Sequence, residues 1–226
     1  MYVSADSADA WVHPEYLALD AEGRLTSQGG VPPDQFSAEG QLWGNPTYDW
    51  DALAANGYDW WLARFQRAFE WYDFVRIDHF LGFESYYAVP AGAQATEGAW
   101  LPGPGIELFR AAYERFGPLP VIAEDLGIVT PQVQQLLAET GFTGMDVVQF
   151  FDGDPVQWWQ PQPGKACFTS THDTQTLLGW VKRRYGLGGA GEDGAREARR
   201  IADELMARVT SSDVGVAFVS LQDVLH

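Results

Sequence analysis

The chain has 226 residues, 46% of them hydrophobic, enough to bury one substantial core and short for two domains. Its 14 Lys and Arg stand against 31 Asp and Glu, and the resulting charge of −17 excludes a basic surface of the kind that holds nucleic-acid backbones or anionic membranes. A single cysteine, Cys167, excludes a disulfide framework and a cysteine-rich zinc site.

No apolar run reaches the ~18 residues of a membrane span. The opening MYVSADSADAW has neither the basic nor the apolar region of a signal peptide, so the expected location is cytoplasmic. Residues 23–58, GRLTSQGGVPPDQFSAEGQLWGNPTYDWDALAANGY, carry Gly, Pro, Asn and Ser too densely for a regular element. They are expected to form a long loop, ordered by Phe36, Trp43, Tyr48 and Trp50. DWWLARFQRAFEWYDF then sets Trp61, Phe65, Ala68, Phe69 and Tyr72 on one helical stripe behind Asp59 as cap, and FVRID reads as a buried strand.

The alternation continues. GIELFRAAYERFG (105–117) predicts an amphipathic helix stopped by Gly117, and PVIAED (120–125) a short strand. TPQVQQLLAETG (130–141) predicts a helix capped by Thr130, with Pro131 in its first turn and Gly141 as its stop. MDVVQFF (145–151) and ACFTSTHD (166–173) read as strands, AREARRIADELMARV (195–209) as a helix, and VGVAFVSLQDVL (214–225) as a last strand entering a loop or helix. Strands alternating with helices imply right-handed crossovers and a parallel sheet, hence an α/β fold.

Three of these strands are expected to end in polar, charged pairs: Asp78-His79, Glu124-Asp125 and His172-Asp173. In a parallel (β/α) barrel, strand ends of one polarity meet at one rim, so residues far apart in sequence can share a pocket. Two carboxylates at a rim lined with aromatics fit glycoside cleavage, one attacking and one protonating the leaving oxygen. Arg76, two residues before Asp78 on the same strand face, would keep Asp78 ionised and oriented. Glu124 would act as proton donor, its proton affinity raised by a neighbouring carboxylate and partial burial. The 14% aromatic content, much of it beside Gly, Pro, Asn and Asp, suits sugar rings with an apolar face and a polar rim.

RIDHF (76–80), AEDLG (123–127) and STHDTQT (170–176), preceded by DSADAW (6–11) and GVPPDQFSAEGQLWGNP (30–46), occur in an order that resembles the 4-α-glucanotransferases, or amylomaltases, of the α-amylase superfamily. The resemblance covers nearly the whole chain and implies a (β/α)8 TIM barrel. It makes Asp78 the nucleophile, Glu124 the general acid/base and Asp173 the transition-state stabiliser, with Arg76 and His172 as partners of the nucleophile and of the sugar. It places the long loop over the acceptor side of the cleft, with Phe36, Gln41, Trp43 and Asn45 contacting substrate. The implied reaction is retaining transfer of α-1,4-glucan segments through a glycosyl-Asp. Maltooligosaccharides, starch or glycogen would be donors, glucose would be an acceptor, and neither a metal nor an organic cofactor is implied.

Gln35, Leu81 and Thr174 depart from residues common in the family. Relatives are about twice as long, so residues 1–226 are expected to form one partial catalytic barrel lacking the first strands and the extreme C-terminus. A hydrolase of the same superfamily and a glucan-binding remnant without turnover are the competing expectations. A metal phosphohydrolase built on His172-Asp173 is disfavoured, because the chain has only four histidines and no second spaced ligand cluster. His79 and Asp125 are expected to be structural, Trp11 and Trp100 to be core, and GLGGAG (186–191) to be a linker.

Overall fold

The segment 23–58 is where sequence pattern and architecture part company. In the computed structural model, which describes residues 1–33, 37–211 and 215–225, this segment is not a continuous loop. After a short helix α1 (Ala8–Val12), it forms strands β1 (Ser27–Val31) and β2 (Gln41–Pro46) and helix α2 (Trp50–Ala55). The two strands pair antiparallel, Gly30 opposite Leu42 and Val31 opposite Gln41, with a register shift between Gln28 and Gly30. Gly30, read from composition as a breaker, is what permits the pairing: a Cβ there would lie 2.2 Å from the Gln41 carbonyl oxygen.

Helix α3 (Asp59–Trp71) follows, but Asp59 is its first residue and not its cap. The cap position is Tyr58 in the left-handed region, φ 63°, and Asp59 contributes its negative charge to the first turn. Strand β3 (Val75–Ile77) comes next, and then two strands the periodicity did not reveal, β4 (Ser85–Pro90) and β5 (Ala99–Pro102). They complete an antiparallel sheet in the order β2-β1-β4-β5. Helix α4 (Ile106–Phe116), strand β6 (Val121–Ala123) and helix α5 (Pro131–Thr140) match their sequence reading closely. Thr130 Oγ1 accepts the Val133 N–H at 3.2 Å, and Gly141 ends α5 at φ 64°.

Buried apolar residues fall into two clusters, and the chain divides into two compact units, Met1–Phe142 and Thr143–His226. In the first, Phe80, Phe83 and Phe109 are fully buried and pack ring against ring, with centroids 5.2 to 6.2 Å apart. Each such side chain contributes about 1.5–3 kcal/mol of apolar transfer. The strand β3 pairs in parallel with β6, Ile77 beside Ala123.

The second unit holds β7 (Met145–Val147), α6 (Pro155–Trp158), β8 (Ala166–Phe168), α7 (Leu177–Arg184), α8 (Gly191–Ser211), β9 (Val216–Phe218) and α9 (Leu221–Val224). Its sheet is parallel in the order β7-β8-β9. The expected strands over 145–151 and 166–173 are cut short after three residues each: a 3-10 turn takes over at Val148, and the chain leaves β8 after Phe168. Cys167 is buried in β8, where desolvation pushes its thiol up to about 11. Trp11 and Trp100, expected in the core, are 86% and 53% exposed. No helix of the described residues is long and apolar enough to cross a membrane.

The close approach at Gly30 sets a first test. Gly30→Ala is expected to cost at least about 2 kcal/mol, because the new methyl group meets backbone and cannot be accommodated by a rotamer change. Gly188→Ala, with nothing within 4 Å of its added Cβ, should stay within about 0.5 kcal/mol of wild type. Urea unfolding midpoints measure both; equal midpoints would refute the steric account.

Candidate active site

Two short parallel strands build the site in the first unit. Because Ile77 and Ala123 are paired, the residues that follow them, Asp78 and Glu124, leave neighbouring strands at the same end. The ladder continues past the strands, with the Glu124 N–H donating to the Ile77 carbonyl at 2.9 Å and the Phe80 N–H to the Glu124 carbonyl at 3.2 Å. Arg76 and Asp78 share a face, as their spacing predicts, and the Arg76 Nη1 donates to Asp78 Oδ1 at 2.5 Å. The Nη2 of the same guanidinium lies 3.9 Å from Glu124 Oε2. One cation therefore lies against both carboxylates.

The turn after β3 supplies a contact that the sequence did not announce. His79 adopts a left-handed backbone, φ 50°, and its N–H donates to Glu124 Oε2 at 2.6 Å. Left-handed backbone at a non-glycine residue costs about 1–2 kcal/mol, against which stands the hydrogen bond to Glu124. Nothing in the letters RIDHF marks the fourth residue for this conformation. The side chains of Asp78 and Glu124 are 48% and 18% exposed, so Asp78 is the more open and Glu124 the more enclosed.

His79 also joins the site to the antiparallel sheet. The Trp43 ring meets the imidazole edge-on at 4.8 Å, and Tyr2 stacks near it at 6.3 Å. Trp43 Nε1 donates to Gln41 Oε1 at 3.0 Å, fixing two residues of β2 against each other. Asn45 is partly buried on the same strand. Gly82 leaves room for the imidazole, since a Cβ there would lie 2.8 Å from His79 Cδ2. Arg76, Asp78, Glu124, Gln41 and Trp43 are thus all placed in the first unit, linked by these contacts, while Phe36 lies outside the described residues.

His172 and Asp173 belong to the second unit, on the loop between β8 and α7. Both are exposed, with His172 Nε2 and Asp173 Oδ2 3.2 Å apart. The hydroxyls of STHDTQT shape this loop: Thr171 Oγ1 accepts the Asp173 N–H at 3.3 Å, and Thr174 Oγ1 accepts the Thr171 N–H at 2.9 Å. Thr176 Oγ1 caps α7 by accepting from Gly179 N–H. Thr174 thus supplies an acceptor of the kind an Asn carbonyl would offer. Trp158 is exposed, whereas Trp159 is buried and donates to Asp146 Oδ1 at 3.2 Å.

Comparison with known proteins identifies the family. The glycoside hydrolase 77 family model, described as 4-alpha-glucanotransferase, matches residues 1–226. A 4-alpha-glucanotransferase of Streptococcus pneumoniae serotype 4 is 42% identical over 238 residues, covering 100% of this chain and 46% of the relative. One from Thermus thermophilus is 46% identical over 189 residues, covering 80% of this chain and 38% of the relative. Among solved structures, an amylomaltase from Streptococcus agalactiae in complex with acarbose superposes with a TM-score of 0.83 at 34% identity, covering 99% of this chain and 47% of that one. The chain therefore spans about half the length of the curated relatives it matches.

The enclosed imidazole makes a pH prediction. Burial takes His79 down from 6.5 to about 4, with Asp78 pulling in the opposite direction, and Nε2 has no hydrogen-bond partner among the described residues. Between these values the unfolded chain binds a proton that the folded chain refuses, so this contribution to stability is whole above pH 6.5 and is lost as pH falls toward 4. From pH 7 to pH 5 it amounts to about 2 kcal/mol. His79→Asn, which tolerates left-handed backbone, should flatten the wild-type slope by that amount in urea unfolding at the two pH values. Parallel slopes would show that the imidazole titrates alike in both states.

Proposed function

The chain belongs to the 4-alpha-glucanotransferase family, and we propose on that premise that it contributes the nucleophile and the acid/base of a retaining transfer of α-1,4-glucan segments. The observation that carries the reading is the single Arg76 guanidinium lying against two carboxylates at the ends of adjacent parallel strands. In retaining glycoside chemistry the two carboxyl groups stand about 5–5.5 Å apart, close enough to flank one bond.

In the proposed reaction Asp78, the more open carboxylate and the one in direct contact with Arg76, attacks the anomeric carbon of a maltooligosaccharide. The arginine keeps it ionised. Glu124 in its protonated form gives its proton to the departing glycosidic oxygen, and a glycosyl-Asp78 ester forms. Glu124, now a carboxylate, then takes the proton of an acceptor's 4-hydroxyl, that oxygen attacks the anomeric carbon, and Asp78 leaves. Asp173 and His172 take the roles their motif has in the family, the first supporting oxocarbenium-like charge and the second binding the sugar. Starch, glycogen and their maltodextrins are the proposed donors, with glucose among the acceptors.

Gln41, Trp43 and Asn45, on the strand that reaches His79, are the proposed acceptor contacts. An aromatic edge at that position favours a sugar ring over water, which supports transfer over hydrolysis. The fold proposed with this chemistry is a partial (β/α)8 barrel, supported by parallel ladders in which β6 leads to α5, β8 to α7 and β9 to α9.

Maltotriose separates the alternatives. Incubation with the purified chain should give both shorter and longer oligomers; shorter products alone would indicate a hydrolase, and no turnover beside measurable maltooligosaccharide binding would indicate a binding remnant. Asp78→Asn should lower turnover by at least about 1,000-fold with little change in folding. Trp43→Ala should raise the ratio of glucose released to longer oligomers formed, read from the same chromatograms; an unchanged ratio would remove Trp43 from the acceptor reading.

A further inference from the structure

The second unit contains a carboxylate that the proposed chemistry does not use. Asp223, on α9, is completely buried, and none of the ion pairs among the described residues involves it. Its cost of desolvation is met by three short hydrogen bonds. Thr169 Oγ1 and Ser170 Oγ each donate to Oδ2 at 2.6 Å, and the Leu177 N–H donates to Oδ1 at 2.6 Å. A carboxylate only accepts, so all three donors are matched. Because the Ser170 hydrogen goes to Asp223, the Ser220 hydroxyl, 2.8 Å away, is left to donate to Ser170 Oγ.

The positions of those donors matter more than their number. Thr169 and Ser170 are the first two residues after β8, and Leu177 is the first residue of α7. Everything between them is the loop that carries His172 and Asp173. Asp223 thus ties the entry of the loop to its exit through the two oxygens of one side chain. Gln149 makes a second tie of the same form, its Nε2 donating to the Thr169 carbonyl at 3.0 Å and the Gln175 carbonyl at 2.9 Å. The exposed His172-Asp173 pair therefore stands on a loop whose two ends are pinned from beneath.

We propose that Asp223 is a positioning residue that fixes the loop 170–177 and through it His172 and Asp173. The catalytic consequence rests on the role proposed above for Asp173; the pinning of the loop does not. A carboxylate serves here better than an amide, because an Asn keeps one accepting oxygen and would turn its NH2 group either to the two hydroxyl donors or to the Leu177 amide donor.

The test uses Asp223→Asn in the full chain, with Ser170→Ala as the milder variant should the first fail to fold. Amide hydrogen exchange over 171–177 should quicken by at least about 10-fold in the variant, while the amides of β8 and β9 stay protected. The kcat for transfer should fall by about 100-fold with KM held within a factor of about 3, the pattern of a misplaced group and not of a lost substrate contact. Loop exchange that is unchanged, or that rises only in step with β8 and β9, would overturn the pinning. Faster loop exchange with an unaltered kcat would overturn the positioning of Asp173. If the wild-type chain makes no longer oligomers, the functional reading has failed separately, and the exchange experiment still decides the pinning.

Discussion

The first unit depends on a parallel pairing of only three residues a side. Val75–Ile77 beside Val121–Ala123 brings two carboxylates to one end of a ladder, where like charges would repel if nothing stood between them. Arg76 stands there, and its fixed charge is delivered by the strand itself, two residues before Asp78. A further contact comes from the backbone: the left-handed His79 turns its N–H toward Glu124 Oε2. Strand register, one guanidinium and one amide together determine where the two acids lie.

That turn has further consequences. Once His79 is left-handed, its imidazole is directed among Tyr2, Trp43 and the space left by Gly82, so the geometry around Glu124 is coupled to the packing of β2. The antiparallel sheet is then more than a cover. Gly30 lets β1 and β2 close on each other, β2 carries Trp43, and Trp43 abuts the residue whose amide donates to Glu124. A displacement of the hairpin would reach Glu124 through two contacts.

Much of this was legible in the sequence. The helices α4 and α5 were marked by caps and stops, and Arg76, Asp78 and Glu124 by polar groups at the ends of apolar runs. The hairpin was hidden because glycines that permit close strand approach look the same in a sequence as glycines that break structure. The strands β4 and β5 were hidden because SYYAVP and AWLP are too short and too mixed to show a period of two. Trp11 and Trp100 misled for a different reason: aromatic identity gives an average burial, and neither has a periodic neighbour to fix its face. That His79 is structural was expected from the sequence; its contact with Glu124 was not, since it belongs to a backbone angle and an amide.

The two units meet the cost of enclosing acids in different ways. Asp78 and Glu124 keep partial exposure, with one cation against both and a backbone amide on Glu124. Asp223 has no exposure, and its oxygens are taken by two hydroxyls and a backbone amide. A group so enclosed meets no ligand; what it can do is define a path for the chain. Thr169 and Ser170, the two residues after β8, reach Asp223 with their hydroxyls where the chain runs out into the loop that carries His172 and Asp173.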